Sequence, residues 1–253
     1  MRSRALHGWD VTPAEAIALQ RALSRQVALA PLPKPPRHIA GADLAVDASR
    51  GLGVAGVIVY RVEPSGPTLS LHEVERAWAT GPLTFPYVPG LLSFRETPLL
   101  LRAFEQVRTE ADLIICDGQG IAHPRGLGIA SHLGLLLDRP TIGCAKSLLV
   151  GSYDEPAKAA GSRSPLRLER RVIGAVVRTR SNVRPLFVSP GHRITLEESI
   201  DIVLACCDGY RIPKPTREAD HYVATLKRSQ TNTTPAPASE SLAPHAPTTS
   251  GRP

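Results

Sequence analysis

The sequence predicts an α/β fold built on one mixed sheet, its first strands antiparallel and its later strands parallel, with helices flanking it. Three observations carry that expectation. Three β-rich runs follow one another with short turns, around His38 to Val46, Gly53 to Arg61 and Thr68 to Ala79, which suggests an antiparallel meander. Beyond them strand-like and helical segments alternate, the pattern of parallel strands covered by helices. With 253 residues, 42% of them hydrophobic, the chain is long enough for one large domain with its own core.

The elements follow in order. Thr12 to Ala28 repeats apolar residues at helical spacing (Ala16, Ile17, Leu19, Leu23, Val27), with Thr12 as cap and Pro13 in the first turn. Pro31, Pro33, Pro35 and Pro36 then force an extended connector into the meander. A helix is expected near Leu91 to Arg108, a strand over Leu113 to Asp117, a helix near Leu127 to Leu137 and a strand over Thr141 to Cys144. Val172 to Arg180 and Leu186 to Val188 read as a hairpin, and Thr195 to Cys207 as a helix. An extended segment through Pro213 and Pro215 is capped by Thr216 and runs into a last helix. From Ser229 the chain turns to Thr, Pro, Ala and Ser, too poor in apolar residues to offset its ordering entropy, so a domain over 1–228 and a disordered tail over 229–253 are expected. This pattern is compatible with a ribonuclease H-like fold, and also with other α/β arrangements.

Thirty Lys and Arg against 23 Asp and Glu give a net charge of +7, which leans toward a polyanionic partner. The first residues lack the apolar stretch of a secretory signal, and no apolar run is long enough to span a bilayer. A soluble, cytoplasmic protein is the expectation. Cys116, Cys144, Cys206 and Cys207 sit in apolar contexts without paired spacing, so reduced buried thiols are expected rather than a zinc site or a disulfide scaffold.

Five segments carry candidate chemistry. Asp43 interrupts the apolar run Ile39-Ala40-Gly41-Ala42-Asp43-Leu44-Ala45-Val46, and Asp117 ends Leu113-Ile114-Ile115-Cys116-Asp117. A lone carboxylate there is costly to bury unless something neutralises it. Each alone could be a strand-end aspartate accepting backbone hydrogen bonds. Were their strands neighbours, two charges ~4 Å apart would repel by about 4 kcal/mol at an effective dielectric of 20, and a cation would remove that cost. Oxygen donors without a Cys or His cluster suit Mg²⁺ or Mn²⁺. In Pro86-Tyr87-Val88-Pro89-Gly90, a stiff loop presents Tyr87 ahead of a helix carrying Arg95 and Glu96. Tyr87 can act as a wedge between bases or simply pack on the core. The glycine-dense run Asp117-Gly118-Gln119-Gly120-Ile121-Ala122-His123-Pro124-Arg125 brings backbone N–H groups near a phosphate or base edge and matches neither the Walker pattern nor the dinucleotide fingerprint. His123 is either a substrate contact or structural; His132 reads as structural. Lys146 would point at the sheet edge of Asp117 if the two strands are parallel neighbours. Asp220 and His221 gain weight only from this company.

Together these blocks closely resemble endonuclease V, a family of deoxyinosine-directed nucleases with a ribonuclease H-like core, and the likeness covers most of residues 12 to 225. It implies Asp43 and Asp117 as Mg²⁺ ligands, with Mn²⁺ able to substitute, and Glu96 and Asp220 completing the acidic cluster. It makes Tyr87 the wedge, puts Lys146 and His123 near the scissile phosphate, and implies a base pocket formed by Pro89, Gly90, Gly118 and Gly120. His221 is expected to contact substrate, and its place beside Asp220 leaves open which of the two assists the metal. The segment Asp154 to Arg167 has no counterpart in the resemblance. Its implied activity is cleavage of DNA containing deoxyinosine at the second phosphodiester bond 3′ to the lesion, leaving 3′-hydroxyl and 5′-phosphate, with inosine-containing RNA as an open second substrate. Nothing demands more than a monomer. Two rivals remain at this point: another metal nuclease on the same core, and a non-catalytic nucleic-acid-binding protein.

Overall fold

The structure, a computed structural model, describes residues 1–232. Its elements are α1 (Pro13–Ser24), β1 (His38–Asp47), β2 (Leu52–Ser65), β3 (Thr68–Pro82), α2 (Leu92–Gln106), β4 (Leu113–Cys116), α3 (Ile129–Leu137), β5 (Thr141–Ala145), β6 (Arg163–Leu168), β7 (Arg171–Val177), β8 (Leu186–His192), α4 (Leu196–Ala205) and α5 (Lys214–Asn232). The eight strands form one sheet in the order β3-β2-β1-β4-β5-β8-β7-β6.

β1, β2 and β3 form the expected antiparallel meander, and β1, β4 and β5 run parallel. β7 and β8 pair antiparallel as the expected hairpin, and the departures lie on either side of it, where β5-β8 and β7-β6 are antiparallel as well. Parallel neighbours need a crossover, usually a helix, and the stretch between Ala145 and Arg163 contains none. The chain therefore folds back on itself as a hairpin, β6-β7, which begins inside the segment that sequence reading left unassigned.

Alternation along the central strands divides the core into two layers. On one face Ala40, Ala42 and Ile114 pack with Leu100 and Phe104 of α2 and Leu133 of α3. On the other, Ile39, Leu113 and Ile115 pack with Ile200 and Val203 of α4. Counting in twos from Ile39 through Gly41 reaches Asp43, and from Leu113 through Ile115 reaches Asp117. Both aspartates thus fall on the face that also receives α5, just past the last parallel pair of the two strands, Ala42 and Cys116.

Two helix ends illustrate how tertiary contacts move boundaries. Thr12 caps α1 as the sequence promised, in a reciprocal capping box with Glu15, which the sequence analysis did not single out, yet the helix stops at Ser24. The chain is then captured by the end of β8: the Arg193 N–H donates to the Ala28 carbonyl at 2.6 Å, and the Ala28 N–H donates to His192 Nδ1 at 3.2 Å. At the other end α5 begins at Lys214 and continues through Asn232, past the expected tail boundary at Ser229. A nucleated helix gains one hydrogen bond for each residue it adds, so polar residues can extend it without burial. The rest of that tail, 233–253, lies outside the described residues. Among the described residues no helix is long and apolar enough to cross a membrane.

The start of α5 lies tightly on the sheet at Gly41, where an added Cβ would lie 2.0 Å from the Pro215 carbonyl oxygen. Only glycine lets the start of α5 rest on β1 here. Gly41→Ala should therefore lower the thermal midpoint by roughly 6–12 °C, the equivalent of about 3 kcal/mol of overpacking in a domain of this size. Thermal unfolding followed by circular dichroism measures it; a variant as stable as the parent would mean that this contact relaxes freely.

Candidate active site

Asp43, Asp117 and Asp220 arrive from β1, from the residue after β4 and from α5, and each offers an oxygen within 4.8 Å of those of the others. The parallel pairing of Ala42 with Cys116 sets the first two side by side. Lys146, just past β5, lies between two of them, its Nζ 2.6 Å from Asp117 Oδ2 and 3.2 Å from Asp220 Oδ2. The expected direction of Lys146 follows from β4 and β5 being parallel neighbours. His221 is exposed and stands outside this cluster, so of the two adjacent residues it is Asp220 that joins the acids.

One ammonium does not neutralise so many carboxylates. Burial, reinforced by the charge on Asp117, pushes Asp43 up from 3.8 to about 7. Glu96, which reaches the same strand end from α2, is pushed up to about 8, first by burial and then by Asp43. Burial opposes the charge on Lys146, but hydrogen bonds and attraction from Asp117 and Asp220 outweigh it and raise its pKa. The donor set is all oxygen, convergent and short of positive charge, which fits a hard divalent cation such as Mg²⁺ rather than a soft-ligand metal.

Beside the acids opens a cavity of about 420 Å³. Asp117, Gly118 and Lys146 line one part of it, Tyr87, Pro89, Gly90 and His123 another. Tyr87 is 71% exposed at the rim, so the packed alternative for this side chain is excluded. The loop that carries it is pinned through a single carbonyl. Gly90 O accepts hydrogen bonds from His123 Nε2 at 2.9 Å, Arg125 Nη2 at 2.7 Å and Gln20 Nε2 at 3.0 Å. Gly90 has φ 77°, a left-handed conformation that any side chain would strain.

This pinning revises the expectation for His123. Its Nδ1 accepts the Arg125 N–H at 3.1 Å, which leaves Nε2 as the donor to Gly90, and burial lowers its pKa to about 4. With both ring nitrogens engaged on backbone and the ring neutral, His123 positions the loop and has no nitrogen free for a scissile phosphate. Gly120 also differs from expectation. It is buried, its N–H bonded to Ser189 Oγ at 2.8 Å and its carbonyl to the Gly128 N–H, so it locks the glycine-rich loop onto β8 and does not line the cavity.

Sequence reading passed over two features. Gln119 lines the cavity and donates from Nε2 to the Ser147 carbonyl at 3.1 Å, while its buried Oε1 has no protein partner. An unpaired buried acceptor at a cavity wall is poised for a ligand N–H. Its signal was its place between two glycines of the loop. Leu148 and Leu149, 43% and 45% exposed on the rim, had no signal at all, since a leucine pair after a strand reads as core.

Comparison with known proteins agrees with this geometry. The family described as Endonuclease V matches residues 21–221. Endonuclease V of Dehalococcoides mccartyi is 50% identical over 226 residues, spanning 89% of this chain and 99% of the relative. Among solved structures, Endonuclease V of Streptomyces avermitilis has a TM-score of 0.81 at 41% identity, covering 88% of this chain and 96% of its own. Endonuclease V of Ciona intestinalis, solved in complex with a 24mer DNA containing an inosine followed by a ribo-adenosine, has a TM-score of 0.71 at 25% identity, covering 86% and 98%. Likeness in sequence across nearly the full length of these relatives, on a shared fold, establishes that the chain belongs to the endonuclease V family.

Proposed function

We propose that this protein is a Mg²⁺-dependent endonuclease that recognises deoxyinosine in DNA and hydrolyses the second phosphodiester bond 3′ to it, leaving a 3′-hydroxyl and a 5′-phosphate. The observation that carries the reading is the convergence of Asp43, Asp117 and Asp220 at the mouth of a cavity rimmed by an exposed tyrosine. The Ciona relative, which holds inosine-containing DNA, supports the choice of substrate.

Asp43 and Asp117 would hold the metal, with Asp220 beside them. When bound, Mg²⁺ supplies Lewis-acid polarisation of the phosphate and a more acidic water. The chain's own residues do the rest. Tyr87 fills the gap left when the lesion leaves the stack, an extrusion that is cheaper for hypoxanthine because it pairs poorly. In the cavity, Gln119 Oε1 is placed to accept the ring N–H of hypoxanthine; adenine has no hydrogen on that ring nitrogen. As water adds to phosphorus and the P–O3′ bond breaks, Lys146 offsets the charge gathering on the phosphate oxygens. Glu96, in its ionised form, would take the proton released by that water. The phosphate stays on the 5′ carbon of the downstream nucleotide, and the departing 3′ oxygen takes up a proton.

Single-turnover cleavage of an end-labelled duplex bearing one deoxyinosine tests this. Mg²⁺ should give one nick at the second bond 3′ of the lesion, EDTA none, and Asp43→Asn or Asp117→Asn a loss of about a thousandfold, from several kcal/mol of charge stabilisation. Binding without any cleavage of this duplex or of inosine-containing RNA would return the protein to the class of non-catalytic binders.

The same acids couple stability to pH. Asp43 and Glu96 hold protons more tightly in the folded chain (about 7 and about 8) than at their ordinary values of 3.8 and 4.5. Their protonated forms therefore favour folding fully at low pH, and that contribution is lost as pH climbs through the folded values. In EDTA the thermal midpoint should fall between about pH 5 and about pH 8.5, and added Mg²⁺ should raise it more at the higher pH. Asp43→Asn should flatten the slope. A midpoint insensitive to pH in EDTA would show that these carboxyls are not protonated in the fold.

A further inference from the structure

The base cavity shares a wall with a second depression. His123 lines the cavity on one side and, on the other, a groove of about 1020 Å³ between the end of α1 and the turn that joins β6 to β7. Arg21 and Arg25 enter this groove from the end of α1, Arg125 from the glycine-rich loop and Arg171 from the start of β7. Among the described residues that line it, Glu169 is the sole acid, and none of the four arginines is ion-paired there. Burial, together with the neighbouring charge of Arg21, lowers the Arg125 pKa.

A helix C-terminus favours a cation, which accounts for Arg21 and Arg25 taken alone. It does not account for Arg171, nor for Arg125, which converge on the same groove from two other elements; Arg125 spends Nε and Nη2 on Gln20 and the Gly90 carbonyl but brings its charge to the groove. Unpaired like charges repel, and a fold that gathers them presents a positive potential suited to a polyanion. The groove is also mechanically joined to the lesion site, since Arg125 donates to the Gly90 carbonyl in the Tyr87 loop.

Position along the surface gives the strand a direction. Asp117 and Lys146 mark the end of the cavity where the acids lie, and His123 borders the arginine groove. On the function proposed above, the cut falls 3′ of the damaged base, at the acids. The strand must then leave the cavity at the other end, past His123, in the 5′ direction. We infer that the groove of Arg21, Arg25, Arg125 and Arg171 binds the phosphodiester backbone of the substrate strand 5′ to the lesion. The inference rests on the nuclease reading and extends it, and it gives the β6-β7 hairpin a task in substrate binding.

The test measures, in Mg²⁺, the enzyme concentration that gives the half-maximal single-turnover rate on deoxyinosine duplexes at several salt concentrations. Wild type is compared with Arg25→Gln/Arg171→Gln and with the charge-keeping Arg25→Lys/Arg171→Lys. On a duplex with long flanks the Gln pair should need about 10- to 100-fold more enzyme, and its salt dependence should be shallower by about two, near one per lost phosphate contact. The Lys pair should recover most of the loss. Shortening the 5′ flank to about two nucleotides, about 7 Å of strand, should erase the difference between wild type and the Gln pair, whereas the same cut in the 3′ flank should preserve it. A Gln pair that matches wild type at every salt concentration, or a defect that survives 5′ shortening, overturns the inference while leaving the nuclease reading intact. A wild type that cuts none of these duplexes removes the nuclease reading, and this inference falls with it.

Discussion

Carboxylates gathered at the ends of two adjacent apolar strands set the terms for the rest of this molecule. Asp43 and Asp117 are neighbours because β1 and β4 are parallel and in register, and α5 brings Asp220 to the same point. No arrangement of core packing relieves their repulsion. It is met partly by protonation, seen in the raised values of Asp43 and Glu96, and partly by the ammonium of Lys146. A protein that spends stability in this way needs a cation there, and a cation between acids at a strand end is suited to pulling charge from a phosphate.

The sheet serves that cluster by rigid placement. β1, β4 and β5 each deliver one side chain to one edge, so the distances between Asp43, Asp117 and Lys146 are fixed by the spacing of strands rather than by loops. The start of α5 rests on Gly41, and the contact holds Asp220 in range. Recognition is handled differently. The Tyr87 loop is exposed at its tip and tied down at Gly90 by three donors from two places in the chain, Gln20 of α1 and the pair His123 and Arg125 of the glycine-rich loop. Such a tether keeps an exposed aromatic side chain stiff without burying it.

Positive charge is distributed to match. Lys146 stands among the acids, while unpaired arginines collect beyond His123, away from them. Separating the two keeps the acidic cluster from being filled by the protein's own guanidinium groups, and it leaves a polyanion an attractive surface beside a site that would otherwise repel it.

Much of this was legible in the sequence, and the boundary has a physical reason. Local patterning determined the helices, the meander, the alternation that puts Asp43 and Asp117 on one face, and the stiff loop before α2, since periodicity and turn chemistry act between near neighbours in the chain. The ordered blocks around Asp43, Tyr87, Asp117 and Asp220 also determined the family. The antiparallel placement of β8 against β5 and the early end of α1 at the contact with His192 were decided by pairings with distant residues, which leave no local trace. The same holds for single side chains. Whether His123 is free or committed depends on Gly90, and whether Asp220 or His221 meets the acids depends on how α5 lies over Gly41. Composition names the groups able to do the chemistry, but only the folded chain settles which of their hydrogen bonds are already taken.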